Sequence, residues 1–97
     1  MGERAVDRAT ITRLVLDVLK PHQPSIVEFA VALARIKGVE RVDSSVVEVD
    51  AETETIKVVV EGRDLEVETI AETIRKLGGV VHSVDAVVAE VRRPERR

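Results

Sequence analysis

Apolar and polar positions alternate between Thr10 and Leu19. Leu14, Leu16 and Val18 fall on one side, and Arg13, Val15, Asp17 and Leu19 on the other, the period of two expected of a β-strand. Lys20-Pro21-His22-Gln23-Pro24 breaks the pattern. Ser25, with Glu28 three residues on, has the spacing of a capping box. Ile26, Phe29, Ala30, Leu33 and Ala34 then recur at helical intervals until Gly38 supplies a stop. A second strand is expected from Val39 to Asp50, the polar run DAETET (50–55) is a turn, and Ile56 to Glu61 is a third strand ended by Gly62. Leu65, Val67, Ile70, Ala71, Ile74 and Leu77 mark a second amphipathic helix, closed by Gly78-Gly79. Val80 to Val91 is a fourth strand. Residues 1–9 are charged and without period, a flexible arm, and 92–97 (RRPERR) form a basic tail expected to fray. Residues 10–91 are left as the folded domain.

The order strand–helix–strand–strand–helix–strand is the split βαβ pattern of the α+β ferredoxin-like sandwich. Right-handed crossovers then require a four-stranded antiparallel sheet in the order 4-1-3-2, with both helices on one face. A chain of 97 residues is one domain, and one of this size buries only about two-thirds of the surface its unfolded chain exposes. The core must be aliphatic: there are twenty Val, one Phe, and no Trp or Tyr. Such β-branched content suits strands.

Fifteen basic residues against 18 acidic give a net charge of −3. That balance provides no strong field for nucleic acid, and the sheet lacks the aromatic residues on which bases stack. Nucleic acid is therefore disfavoured as a partner. The absence of Cys excludes disulfides and thiol chemistry. No Gly-rich phosphate loop and no nucleophilic triad stands out. With no Asn, one Gln and abundant Glu, Lys, Arg and Val, the composition matches a thermophile protein. No stretch reaches the roughly 20 apolar residues of a membrane span, and no apolar signal segment follows Met1. The expected location is the cytoplasm.

The topology gathers chemistry at one end of the sheet. His22 follows the first strand and His82 opens the fourth, its antiparallel neighbour; the hairpin acids Asp50, Glu52 and Glu54 arrive at the same end. His22, His82, Asp50 and Glu52 are candidate ligands for a divalent metal such as zinc. Alternatively, Lys20 and the first helix's amino end, with the histidines, would hold a small anionic ligand. The nearby carboxylates favour the metal. The plainer reading is a rigid Pro-His-Gln-Pro connection, each histidine satisfied by a backbone carbonyl. On the sheet face away from the helices, alternation places Val15, Asp17, Leu19, Lys57, Val59, Val81, Ser83, Asp85 and Val87. This mixed face suits a subunit contact, and a thin core gains from homo-oligomer burial. Asp17, Ser83 and Asp85 join Lys20 and His22 as candidate ligand-binding residues. Asp17 and Asp85 would also serve as an acid–base pair, or as surface partners of Arg13 or Lys57.

The strings LVLDVLKPHQPS, GVERVDSSVVEVDAETETIKVVVEG and LGGVVHSVDAVVAE resemble an archaeal family, domain of unknown function 211, over roughly residues 11 to 91. The resemblance stresses Asp17, Lys20, Pro21, His22, Pro24, Glu48, Asp50, Gly78, Gly79, His82, Ser83 and Asp85. It implies a ferredoxin-like fold, a small archaeal cytoplasmic protein and self-assembly, and no particular reaction. EVRRPERR replaces the family's longer, more apolar ending. The leading expectation is a homo-oligomeric, non-enzymatic module binding a metal ion or small ligand in a regulatory role. The alternatives are a purely structural assembly subunit, or an enzyme using a His and a carboxylate in a pocket between subunits.

Overall fold

The computed structural model describes residues 8–92. Its elements are β1 (Arg8–Pro21), α1 (Ile26–Ala34), β2 (Val39–Val49), β3 (Thr53–Gly62), α2 (Val67–Lys76) and β4 (Val80–Arg92). They form one antiparallel sheet ordered β2-β3-β1-β4, the expected ferredoxin-like order read from the other edge. The expected arm and tail fall mostly outside the described residues; Arg8, Ala9 and Arg92 belong to strands. The hairpin turn shrinks to residues 50–52, because Asp50 N–H donates to the Thr53 carbonyl at 2.8 Å and Thr53 already pairs with Pro21.

Leu14, Leu16 and Val18 of β1 and Ile56, Val58 and Val60 of β3 face the helices and are buried. Phe29 and Leu33 of α1 and Ile70 and Ile74 of α2 close over them. The capping box forms: Ser25 Oγ accepts from Glu28 N–H at 3.2 Å, and Glu28 Oε1 accepts from Ser25 N–H at 3.0 Å. Gly79 lets β4 start beneath both helices. A Cβ there would lie 3.1 Å from the Leu19 carbonyl oxygen and 3.2 Å from Ile74 Cγ2.

The register of β4 corrects the simple alternation. Val18 pairs with Val81 and Asp17 with Ser83, so His82 is an extra residue; Leu16 pairs with Val84 and Val15 with Ala86, so Asp85 is another. Each such bulge resets which face the following residues occupy. Val81 and Val87, expected on the open face, therefore share the helix side with Val18 and Leu14. Val15, Asp17, Leu19, Lys57 and Val59 keep their expected face.

The helix layer is short. Nine and ten residues at about 1.5 Å per residue span about 14–15 Å, whereas the 13 residues of β4 at about 3.3 Å span about 43 Å. On the edge strand β4, Val84 and Val87, level with the buried Leu16 and Leu14, and Val91, opposite Ala9, stand 46%, 51% and 53% exposed. The molecule is elongated, 59 × 22 × 18 Å.

Phe29 is the only aromatic residue and is fully buried. Phe29→Ala should cost about 3–5 kcal/mol, measured as a fall in the urea midpoint at constant m-value.

Candidate functional site

A strand position on the core side that carries a charge must find its partner there. Lys20 continues the parity of Leu14, Leu16 and Val18, and its side chain is 0% exposed. Its ammonium donates to Glu54 Oε1 at 3.2 Å, to the Pro21 carbonyl at 2.7 Å and to the His22 carbonyl at 3.5 Å. It also lies 5.9 Å from the centroid of the Phe29 ring, within range of a cation–π attraction. Register supplies the acid: Glu54 pairs directly with Lys20 across β1 and β3.

Glu54 turns its second oxygen to His22. The distance from His22 Nδ1 to Glu54 Oε2 is 3.1 Å, and Nε2 lies 3.0 Å from the Ala51 carbonyl oxygen. Both ring nitrogens thus face acceptors, an arrangement only the doubly protonated ring satisfies. The Glu54 hydrogen bond, and next the Ala51 carbonyl, raise the His22 pKa above its ordinary value; the His22 and then the Lys20 hydrogen bonds lower that of Glu54. The three side chains tie the β1–α1 turn to the β2–β3 hairpin tip.

His82 is elsewhere. It lines a groove of about 370 Å³ with Asp17, Val18, Leu19, Glu48 and Thr55, on the face opposite Lys20. Ser83 Oγ donates to Asp85 Oδ1 at 2.7 Å on the same face, and Asp17 pairs across the strands with Lys57 and Ser83. The proposed metal set His22, His82, Asp50 and Glu52 is therefore not gathered: the sheet lies between the histidines, and Asp50 and Glu52 are exposed. Among the described residues no three His, Asp or Glu side chains come together as a metal site. Of the candidate ligand residues, Lys20 and His22 belong to the helix-side tie, and Asp17, Ser83 and Asp85 to the open face.

Glu54 was not among the candidate site residues, although parity pointed to it. A lysine in core register on β1 requires an acid in core register on β3, and Glu54 precedes Ile56, Val58 and Val60 in that register. Thr55 reaches the groove by plain alternation with Lys57 and Val59 on β3, whereas Glu48 reaches it through an extra residue at Val47 in β2, which alternation alone does not reveal.

The family model DUF211, described as "Uncharacterized ArCR", matches residues 12–93. An uncharacterized protein of the archaeon Methanocaldococcus jannaschii is 45% identical over 93 residues, covering 90% of this chain and 96% of the relative.

The sign of the pH dependence follows from these shifts. A raised His22 pKa contributes stability in full below about 6.5, the value of an unperturbed histidine, and loses it as pH rises through the higher folded value. Glu54, shifted down, contributes above its ordinary value and loses that contribution as pH falls through the lower folded one. Urea midpoints of the protein should therefore decline from pH 6 to 8.5, and His22→Ala should flatten that decline. Glu54→Ala should destabilise more than Lys20→Met, because only the former strands a buried ammonium; chemical denaturation at pH 6 gives the ranking.

Proposed function

We propose, starting from a chain that belongs to the DUF211 family, that this protein is a self-assembling subunit that buries its uncovered valines against further copies of itself. The observation carrying this reading is the apolar strip on the helix side of the edge strand β4, where Val84 and Val87 stand exposed beside the buried Leu16 and Leu14 and Val91 continues the strip opposite Ala9. Contiguous exposed apolar surface on a small protein marks a contact site. A second strip lies at the other edge of the sheet. There Val27, 68% exposed, and Val31 of α1 flank a groove with Ala30, Val42 and Ser44. The buried Ser44 hydroxyl finds no hydrogen-bond partner among the described residues, a deficit that an incoming chain would relieve.

Two different strips at opposite edges favour head-to-tail contact, the α1–β2 strip of one copy on the β4 strip of the next. Such contacts close into a ring or continue as a filament. The bulges at His82 and Asp85 work against simple edge-to-edge extension of the sheet, so the faces are favoured over the bare edge.

A second reading rests on the open-face groove. Asp17 and Glu48 place two carboxylates beside Leu19 and His82, a lining that suits a small ligand with a cationic group and an apolar body. On this reading the assembly is also a binding module, and no reaction is assigned to it.

Val87→Glu and Val27→Glu should each convert an assembly to monomers in sedimentation velocity. Mixed together, they should give a particle of two subunits and no larger, because one sound interface remains between them. Recovery of full assembly in the mixture, or no effect of either variant, would contradict head-to-tail packing. For the groove, a linear diamine should shift the NMR signals of His82 and Thr55, and Asp17→Asn should weaken the titration several-fold.

A further inference from the structure

The His22 ring has two acceptors and, when neutral, one proton to offer them. Nδ1 faces the carboxylate of Glu54 at 3.1 Å, and Nε2 faces the carbonyl of Ala51 at 3.0 Å. The imidazolium donates to both. A neutral ring must turn a lone pair toward one oxygen, and that contact becomes repulsive. The two acceptors are unequal. A hydrogen bond to a carboxylate is charge-assisted and roughly twice as strong as one to a neutral carbonyl, so the remaining proton stays on Nδ1. The contact given up is the one to Ala51, in the three-residue tip of the β2–β3 hairpin.

We propose that His22 is a proton-operated fastener: the imidazolium pins the hairpin tip to the β1–α1 turn, and loss of one proton frees the tip while Glu54 stays tied to Lys20. The rest of the tie is built to survive that loss. Lys20 keeps its own contacts to Glu54 and to the Pro21 carbonyl, and the core beneath it is unchanged. Among the described residues the tip has little else to hold it: outside the strand ladders its backbone closure is Asp50 N–H to the Thr53 carbonyl.

The surrounding charges leave this switch to His22. Lys20 faces it from β1 and Glu54 from β3. On the hairpin itself Asp50 and Glu52 are exposed. The only charged residue of α1 is Glu28, whose carboxylate is held by the Ser25 amide. At the end of α2, Arg75 pairs with Glu72, and Lys76 is exposed. The upward pKa shift of His22 puts the release on the alkaline side of an ordinary histidine transition. The device needs no second copy, so it stands or falls independently of assembly.

Long-range proton–nitrogen NMR of the ring, with amide-exchange protection factors for residues 50–53 across pH 5.5 to 9, tests the proposal. The expected result is a His22 midpoint above that of a histidine in an unstructured peptide, and a neutral form carrying its proton on Nδ1. Protection at the tip should fall about two- to ten-fold through the same midpoint, the range that one ordinary net hydrogen bond supports. His22→Gln should lose the step while retaining the Ile56 and Val58 amide protection of the core. A neutral ring protonated on Nε2, or tip protection that ignores the His22 midpoint, would overturn the proposal. So would a step that persists in His22→Gln. The ring measurement on the unaltered protein decides even if that variant does not fold.

Discussion

The rise per residue of a helix is less than half that of a strand, and that mismatch governs this molecule. The chain devotes 9 and 10 residues to its helices and up to 14 to a strand. Two short helices cover the middle of the sheet, where β1 and β3 supply Leu14, Leu16, Val18, Ile56, Val58 and Val60 to a dry aliphatic core. They do not cover the ends or the edges. With twenty valines to place, many on long strands, the chain ends with apolar side chains that its own helices cannot reach.

At the hairpin end the fold meets the same shortage with charge. Pro21 and the turn after it carry the chain away from the sheet, and Lys20 is the last core-side residue of β1. A buried ammonium is costly unless paired and hydrogen-bonded, and here Glu54, two carbonyls and the face of Phe29 surround it. Glu54 then engages His22, and His22 engages Ala51. The hairpin held this way also carries the exposed Val46, Val47 and Val49 of β2. Its ionic anchor and its exposed apolar edge thus belong to one segment.

Much of this was legible in the residues. The period of two, the capping box at Ser25 and Glu28, and the Gly stops gave the element order, and handedness of the crossovers gave the sheet order. The bulges were not legible, because His82 and Asp85 look like ordinary members of an alternating strand. They are recognised only once β4 is laid against β1. That single omission misplaced Val81 and Val87 and hid the strip on the helix side. The two histidines reach the same end of the sheet in topology, but a β-sheet has two faces, and a sequence separation of sixty residues with an unseen bulge does not specify which one each ring takes. Lys20 was singled out for a ligand; its parity with Val18 pointed instead to an internal partner.

In the proposed assembly, another copy of the chain covers the β4 valines that the helices leave exposed. Its most direct test is amide and methyl NMR of the valines across a hundred-fold range of protein concentration. The account predicts that the methyls of Val84, Val87 and Val91 shift or broaden together as concentration rises, with Val27 and Val31 following the same curve, while those of Val58 and Val60 stay fixed. Methyl signals from β4 that remain sharp and unmoved, in a particle whose diffusion is that of a single chain throughout, would contradict it.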